Sequence, residues 1–218
     1  MQHYIPPPDN GLTLIYRDDA LLVVDKPSGL LSVPGRGCDK QDSLLTRVRK
    51  RCARAECVYR LDMETSGLMV IALGKDVQRR LNRLFEERRV HKQYLAVVHG
   101  RVQPREGAVE LPLICDWPNR PRQKVDRERG KPSTTHFRVL EHDPARDTTR
   151  VELRPETGRS HQLRVHMQSL GHSILGDSLY GPPAARGKAP RLLLHASGLA
   201  FTHPLSGRPR NFHSRAPF

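Results

Sequence analysis

The stretch "VYRLDMETSGLMVIAL", residues 58–73, sets one carboxylate, Asp62, at the edge of an apolar run. "LMVIAL" at 68–73 is an unbroken apolar segment of strand length, which predicts a strand covered on both faces. The Asp62–Gly67 segment before it reads as a turn, the usual place for a lone aspartate. Residue type alone leaves two readings of Asp62 open, a turn former or a reacting group.

Outward from this stretch, strands and helices do not alternate regularly. "LTLIY" (12–16) and "ALLVV" (20–24) read as strands broken by Asp18-Asp19 and by Pro27-Ser28-Gly29. A helix is expected at about 43–52 with Ser43 as N-cap. A second follows with Asp76 as cap and Val77, Leu81, Leu84 and Phe85 at helical spacing. "HKQYLAVVHG" alternates like a strand and puts Tyr94 on one face with Lys92, Ala96 and Val98. Strands are expected from Thr134 to Glu141 and over 150–154, then a helix capped by Ser160 with an apolar stripe of Leu163, Met167 and Leu170. The C-terminal part reads as strands with a hairpin near Pro204–Gly207. Elements in this order favour an α+β fold with a largely antiparallel sheet over a doubly wound one.

The chain has 218 residues, no internal repeat and no linker, which suits a single domain spanning 1–218. No stretch approaches a membrane span, and Met1–Asn10 has neither the basic nor the apolar part of a signal peptide. A cytoplasmic protein is expected. Cys38, Cys52, Cys57 and Cys115 form no C-x-x-C pair and read as free thiols. The net charge of +14 attracts polyanions, and nucleic acid is the abundant one.

The segment 113–137, "LICDWPNRPRQKVDRERGKPSTTHF", is expected to begin with a long basic loop holding the only tryptophan. Trp117 either stacks on a base of single-stranded nucleic acid or pins the loop to the body. His161 and His166, five apart, lack the spacing of a helical zinc pair and are expected to bond backbone or RNA phosphate. The scattered acidic residues form no cluster of the kind that binds Mg²⁺. There is no phosphate-binding glycine loop and no nucleophile elbow. What remains is one aspartate in an arginine-rich chain. An ion pair with Arg164 would keep Asp62 ionised, and an ionised carboxylate beside an aromatic ring can attack a flipped base or its sugar. Spacing does not show that Asp62, Tyr94 and Arg164 converge.

Three ordered motifs carry a resemblance across nearly the whole chain. "RLDMETSGL" resembles the Arg-Leu-Asp-x-x-Thr-Ser-Gly motif of the RluA family of pseudouridine synthases; "KQYLA" (92–96) and "TGRSHQLRVH" (157–166) resemble its second and third. "DALLVVDKPSGLLSVPG", "GKPSTTHF" and "LLLHA" are similar to its opening, middle and late strands. The resemblance implies the pseudouridine synthase fold: a mixed, mainly antiparallel sheet flanked by helices around a central RNA-binding cleft. It implies Asp62 as nucleophile, Tyr94 as the active-site tyrosine, Arg164 as partner of the carboxylate and Leu194 as lining of the uracil pocket. Arg60 would fill the space left by the flipped base, and Arg159 would grip phosphate. No residues are left for the N-terminal S4 domain of several relatives.

"LLSVPGRG", "DSLLTRV" and "LPLICDWPNRPRQKV" are similar to a dual-specificity member of the family. That implies stem-loops of tRNA (position 32) and 23S rRNA (position 746) as partners. The isomerisation is redox-neutral and needs no metal or organic cofactor, and a monomeric protein is expected. One departure is Tyr59, where the family usually has His before Arg-Leu-Asp. The rivals are a non-catalytic RNA-binding protein of the same fold and an N-glycosylase releasing free base.

Overall fold

The computed structural model describes residues 4–218; Met1–His3, part of the opening segment read above for a leader, lie outside it. In chain order the strands and helices are β1 (Thr13–Arg17), β2 (Leu21–Lys26), α1 (Leu44–Arg49), β3 (Ala55–Cys57), β4 (Ser66–Leu73), α2 (Lys75–Glu86), β5 (His91–His99), β6 (Glu106–Glu110), β7 (Leu113–Cys115), β8 (Gln123–Val125), β9 (Thr134–Asp143), β10 (Thr148–Pro155), α3 (Gln162–Ser169), α4 (Pro183–Arg186), β11 (Leu194–Thr202) and β12 (Pro209–His213). They fall into two compact units, one running to His91 and resuming at Ala196–Pro217, the other Lys92–His195 with Phe218. The fold is α+β, as the element order predicts.

In the first unit the strands lie in the order β1-β2-β4-β11, with β3 also on β4 and β12 on β11. The pairs β1–β2, β2–β4, β3–β4 and β11–β12 are antiparallel. Every residue of β4 is buried, as its unbroken apolar run predicts. Leu68, Val70 and Ala72 pack with Leu21, Val23 and the Val77, Leu81 and Leu84 stripe of α2. Period two in the strand thus meets period 3.6 in the helix. Ser43 caps α1 by accepting the Thr46 N–H at 3.2 Å. Asp76 does not cap α2: Gly74 is the N-cap, and Asp76 lies in the first turn paired with Arg79. A carboxylate there still faces the positive end of the helix dipole.

The second unit orders its strands β5-β10-β9-β6, with antiparallel β5–β10, β9–β10 and β6–β9 pairs. The expected basic loop is in part a separate two-stranded antiparallel sheet, β7–β8, turning through Trp117–Asn119. Its two prolines and short strands hide the alternation that would announce it. Helix α3 also differs from expectation. Ser160 does not cap it; His161, in the left-handed region at φ 54°, is the N-cap. Gln162 to Met167 are all buried, so the helix has no solvent face over that length. Among the described residues no helix is long and apolar enough to cross a membrane.

Candidate active site

Asp62 and Arg60 belong to the first unit; Tyr94, Arg159, Arg164 and Leu194 belong to the second. Asp62 is half-buried and Arg60 exposed, on the irregular segment between β3 and β4. Neighbouring segments grip this loop by its carbonyl oxygens. The Ser32 hydroxyl donates to the Leu61 carbonyl at 2.6 Å, and the Leu61 N–H donates back to it at 3.1 Å. Lys26, fully buried, directs its ammonium to the carbonyls of Pro27, Leu30 and Met63 at 2.7–3.0 Å. The Gly29 N–H also reaches the Met63 carbonyl, at 2.8 Å, and the Ser28 hydroxyl reaches that of Glu64, at 2.6 Å. Asp62 closes its own turn by accepting the Thr65 N–H at 3.2 Å. The result is a main chain fixed on both sides of the carboxylate.

Gly67 completes the clasp. Its φ is +115°, and a Cβ there would overlap the backbone of Ala196 on β11. Any side chain would push the loop's exit strand off its neighbour. Tyr59, at the position of the family's histidine, packs its ring on Phe85 with centroids 4.6 Å apart and donates to the Leu68 carbonyl at 2.8 Å. In this chain position 59 braces the loop.

In the second unit the residues gather on and around β5. Tyr94, 9% exposed, lies on β5 opposite Leu153 of β10. Three residues on, the Val97 N–H donates to Leu193, the Leu175 N–H to Val97, and the Leu193 N–H to Leu175. This lacing seats Leu194, 2% exposed, and the turn before Asp177 beside the same strand. Asp177 takes Arg164 from the side: Nε reaches Oδ2 at 2.8 Å and Nη2 reaches Oδ1 at 2.7 Å. Both side chains are at most 2% exposed. Oδ1 also accepts the N–H groups of Leu179 and Tyr180, at 2.9 Å each. Burial alone would raise the Asp177 pKa, but the bonds and charge of Arg164, helped by these N–H groups, hold it below the usual carboxylate range.

Gln162 organises the turn ahead of Arg164. Its side-chain oxygen accepts the Thr157 hydroxyl at 2.8 Å and the Arg159 N–H at 3.0 Å; its nitrogen donates to the Thr134 carbonyl and the Thr135 hydroxyl, each at 3.0 Å. Arg159 is thereby presented outward, its Nε on the Pro132 carbonyl at 3.3 Å. His166 is fully buried among Thr135, Ser133 and the Leu111 carbonyl, and burial pushes its pKa down, leaving a neutral ring. His161 bonds the Tyr180 hydroxyl at 2.7 Å. Lys92, two residues before Tyr94, reaches the Thr157 carbonyl at 3.2 Å, and burial lowers its pKa to about 8.

Sequence reasoning missed Lys26, Ser28, Ser32, Gln162, Asp177 and Tyr180. Only the unusual polar residues inside otherwise apolar runs, Lys26 after "LLVVD" and Asp177 after "SILG", hinted at them. The four cysteines are free, as expected.

The model of the family described as RNA pseudouridylate synthase matches residues 20–169. The chain is 55% identical over 218 residues to the dual-specificity RNA pseudouridine synthase RluA of Escherichia coli K12, covering all of this chain and 99% of that one. It is 51% identical to the protein of the same name from Pasteurella multocida, over 99% of this chain and 98% of the other. Among solved structures, human RNA pseudouridylate synthase domain containing 1 superposes with a TM-score of 0.80 at 31% identity, covering 98% of this chain and 87% of that chain.

Proposed function

Because the chain belongs to the RluA family of RNA pseudouridine synthases, enzymes that isomerise uridine to pseudouridine in RNA, we propose that Asp62 is its nucleophile and that stem-loops of tRNA and 23S rRNA are its substrates. Position 32 of tRNA and position 746 of 23S rRNA are the proposed targets, in line with the dual specificity in the names of its relatives. The observation that carries the assignment is the Asp62 loop. Every carbonyl from Leu61 to Glu64 is hydrogen-bonded, yet the carboxylate itself is only half-buried. Such an arrangement holds a reacting group in place without covering it.

The isomerisation moves C1′ of the ribose from N1 to C5 of the uracil; the C5 proton leaves and N1 ends protonated. No electrons are gained or lost, so the balance calls for no redox cofactor, and we assign none and no metal. Asp62 acts on the nucleotide at C6 of the base, at C1′ of the sugar, or by promoting elimination to a glycal. Arg164, held by Asp177, is assigned the part of the arginine that pairs with the catalytic carboxylate, as the motif it matches implies. Tyr94 stacks on the uracil and moves a proton, Leu194 lines the pocket, Arg60 fills the space of the flipped base, and Arg159 grips phosphate. The +14 charge supports steering toward RNA. We read the chain as one catalytic domain, a cytoplasmic monomer.

Incubation with unmodified tRNA and 23S rRNA fragments, followed by pseudouridine mapping, tests this. Conversion at the two positions is expected. Free uracil would instead identify a glycosylase, and unchanged RNA a pure binding protein.

A further inference from the structure

Trp117, the chain's single tryptophan, is 63% exposed, which removes the reading that it pins the loop to the body. It sits on the turn joining β7 to β8, where main-chain bonds fix its surroundings. The Asp116 N–H donates to Arg122 at 2.9 Å, that of Asn119 to Asp116 at 3.0 Å, and that of Arg122 to Asn119 at 3.0 Å. The Asn119 side chain adds a bond to the Asp116 carboxylate at 2.9 Å. Below the turn, the Gln123 N–H donates to the buried Tyr180 hydroxyl at 2.7 Å. The ring is therefore carried on a rigid stalk.

Arg120 lies over the indole with its guanidinium carbon 3.7 Å from the ring centroid. One π-face carries a flat cation, and the large remaining exposure leaves the rest of the ring for another flat group. Arg120, Arg122, Lys124, Arg127, Arg129 and Lys131 make the surrounding segment basic. A nucleobase stacked on the exposed indole removes apolar ring surface from water and gains base–aromatic attraction, to which a neighbouring arginine can add. A basic rim also suits the phosphates on either side of that base.

We propose that Trp117 and Arg120 form a stacking platform for an unpaired base of the RNA substrate, at a subsite separate from the uridine pocket. The proposal rests on the RNA reading above, and its test can be read without turnover. Trp117 is the only source of tryptophan emission, so the full chain reports its own platform. Titration with unmodified anticodon stem-loop RNA should quench that emission; heparin, a polyanion without bases, should not. W117A should weaken RNA binding about 5- to 150-fold, the range for loss of one base–aromatic stack. W117F, which keeps a ring, should stay within a few-fold of wild type. Unchanged emission with RNA, equal quenching by heparin, or W117A binding within twofold of wild type would each overturn the platform. Quenching and W117A weakening without any pseudouridine formation would sink the enzymatic assignment and leave the platform standing.

Discussion

Asp62 and Arg164 are held in opposite ways. Around Asp62 the protein grips main chain: Ser32, Lys26, Gly29 and Ser28 take the flanking carbonyls, and the carboxylate stays half-buried. Around Arg164 it grips the side chain itself, through a two-pronged pair with Asp177 that is almost wholly enclosed. If Asp62 is the nucleophile proposed above, it has to remain reachable, and a hold through the backbone allows that. Arg164, in the proposed role of lending only charge and direction, can be locked by its own functional atoms. Either arrangement limits motion, but the first leaves its carboxylate half-buried where the second encloses the guanidinium.

Asp62→Asn should show the largest effect. Isomerisation should vanish while RNA binding stays within a few-fold, because shape is kept and the proposed nucleophile is lost. Residual single-turnover activity above a few per cent of wild type would move the reacting group elsewhere and end the contrast drawn here.

Asp177→Asn attacks the other side. It leaves the Arg164 guanidinium buried beside a neutral amide, and about 3–5 kcal/mol of stability should go, the cost of breaking a buried pair. Acid should act on wild type through the same residue. Its folded pKa is depressed, so its contribution is complete above the unfolded value near 4 and fades as pH falls through the folded one. Denaturant melts of both proteins from neutral pH downward would check this, with the difference between them narrowing only in acid.

Tyr94→Phe comes next. If the phenol oxygen moves a proton, turnover should drop at least about a hundredfold with RNA binding nearly intact. Near-wild-type chemistry in this variant would leave Tyr94 as a stacking surface alone.

Ser32→Ala is a smaller test of the main-chain grip. The buried Leu61 carbonyl loses its partner, worth about 1–3 kcal/mol, and kcat should fall more than KM rises because Asp62 is less well placed. Equal kcat in the variant would show that the clasp serves stability only.

The gentlest probe is pH on the basic side. The folded pKa of Lys92 lies below its unfolded value, so the folded state binds fewer protons between about 8 and the ordinary lysine value near 10.4. Stability should rise with pH across that window. Lys92→Met should flatten the rise, and NMR titration of the lysine side chains should find one midpoint near 8.

Local pattern made much of this legible. The strands around Tyr94, the doubly covered "LMVIAL" strand and the apolar stripe of α2 follow from residue periodicity, which depends on backbone geometry alone. So do the Ser43 cap and the pull toward polyanions of a +14 chain. The motifs around Asp62, Tyr94 and Arg164 named the family and the candidate residues. Tertiary structure decided which polar groups meet over long sequence distances. Ser32 finds Leu61 29 residues away, Lys26 finds Met63 37 residues away, and Arg164 finds Asp177 across a turn. It also replaced the expected caps Ser160 and Asp76 with His161 and Gly74, and turned a basic loop into a hairpin that holds Trp117 in solvent. Periodicity is written in neighbours a few residues apart. A buried lysine or a paired arginine is stable only where the folded chain brings acceptors to it, and that condition has no local signature.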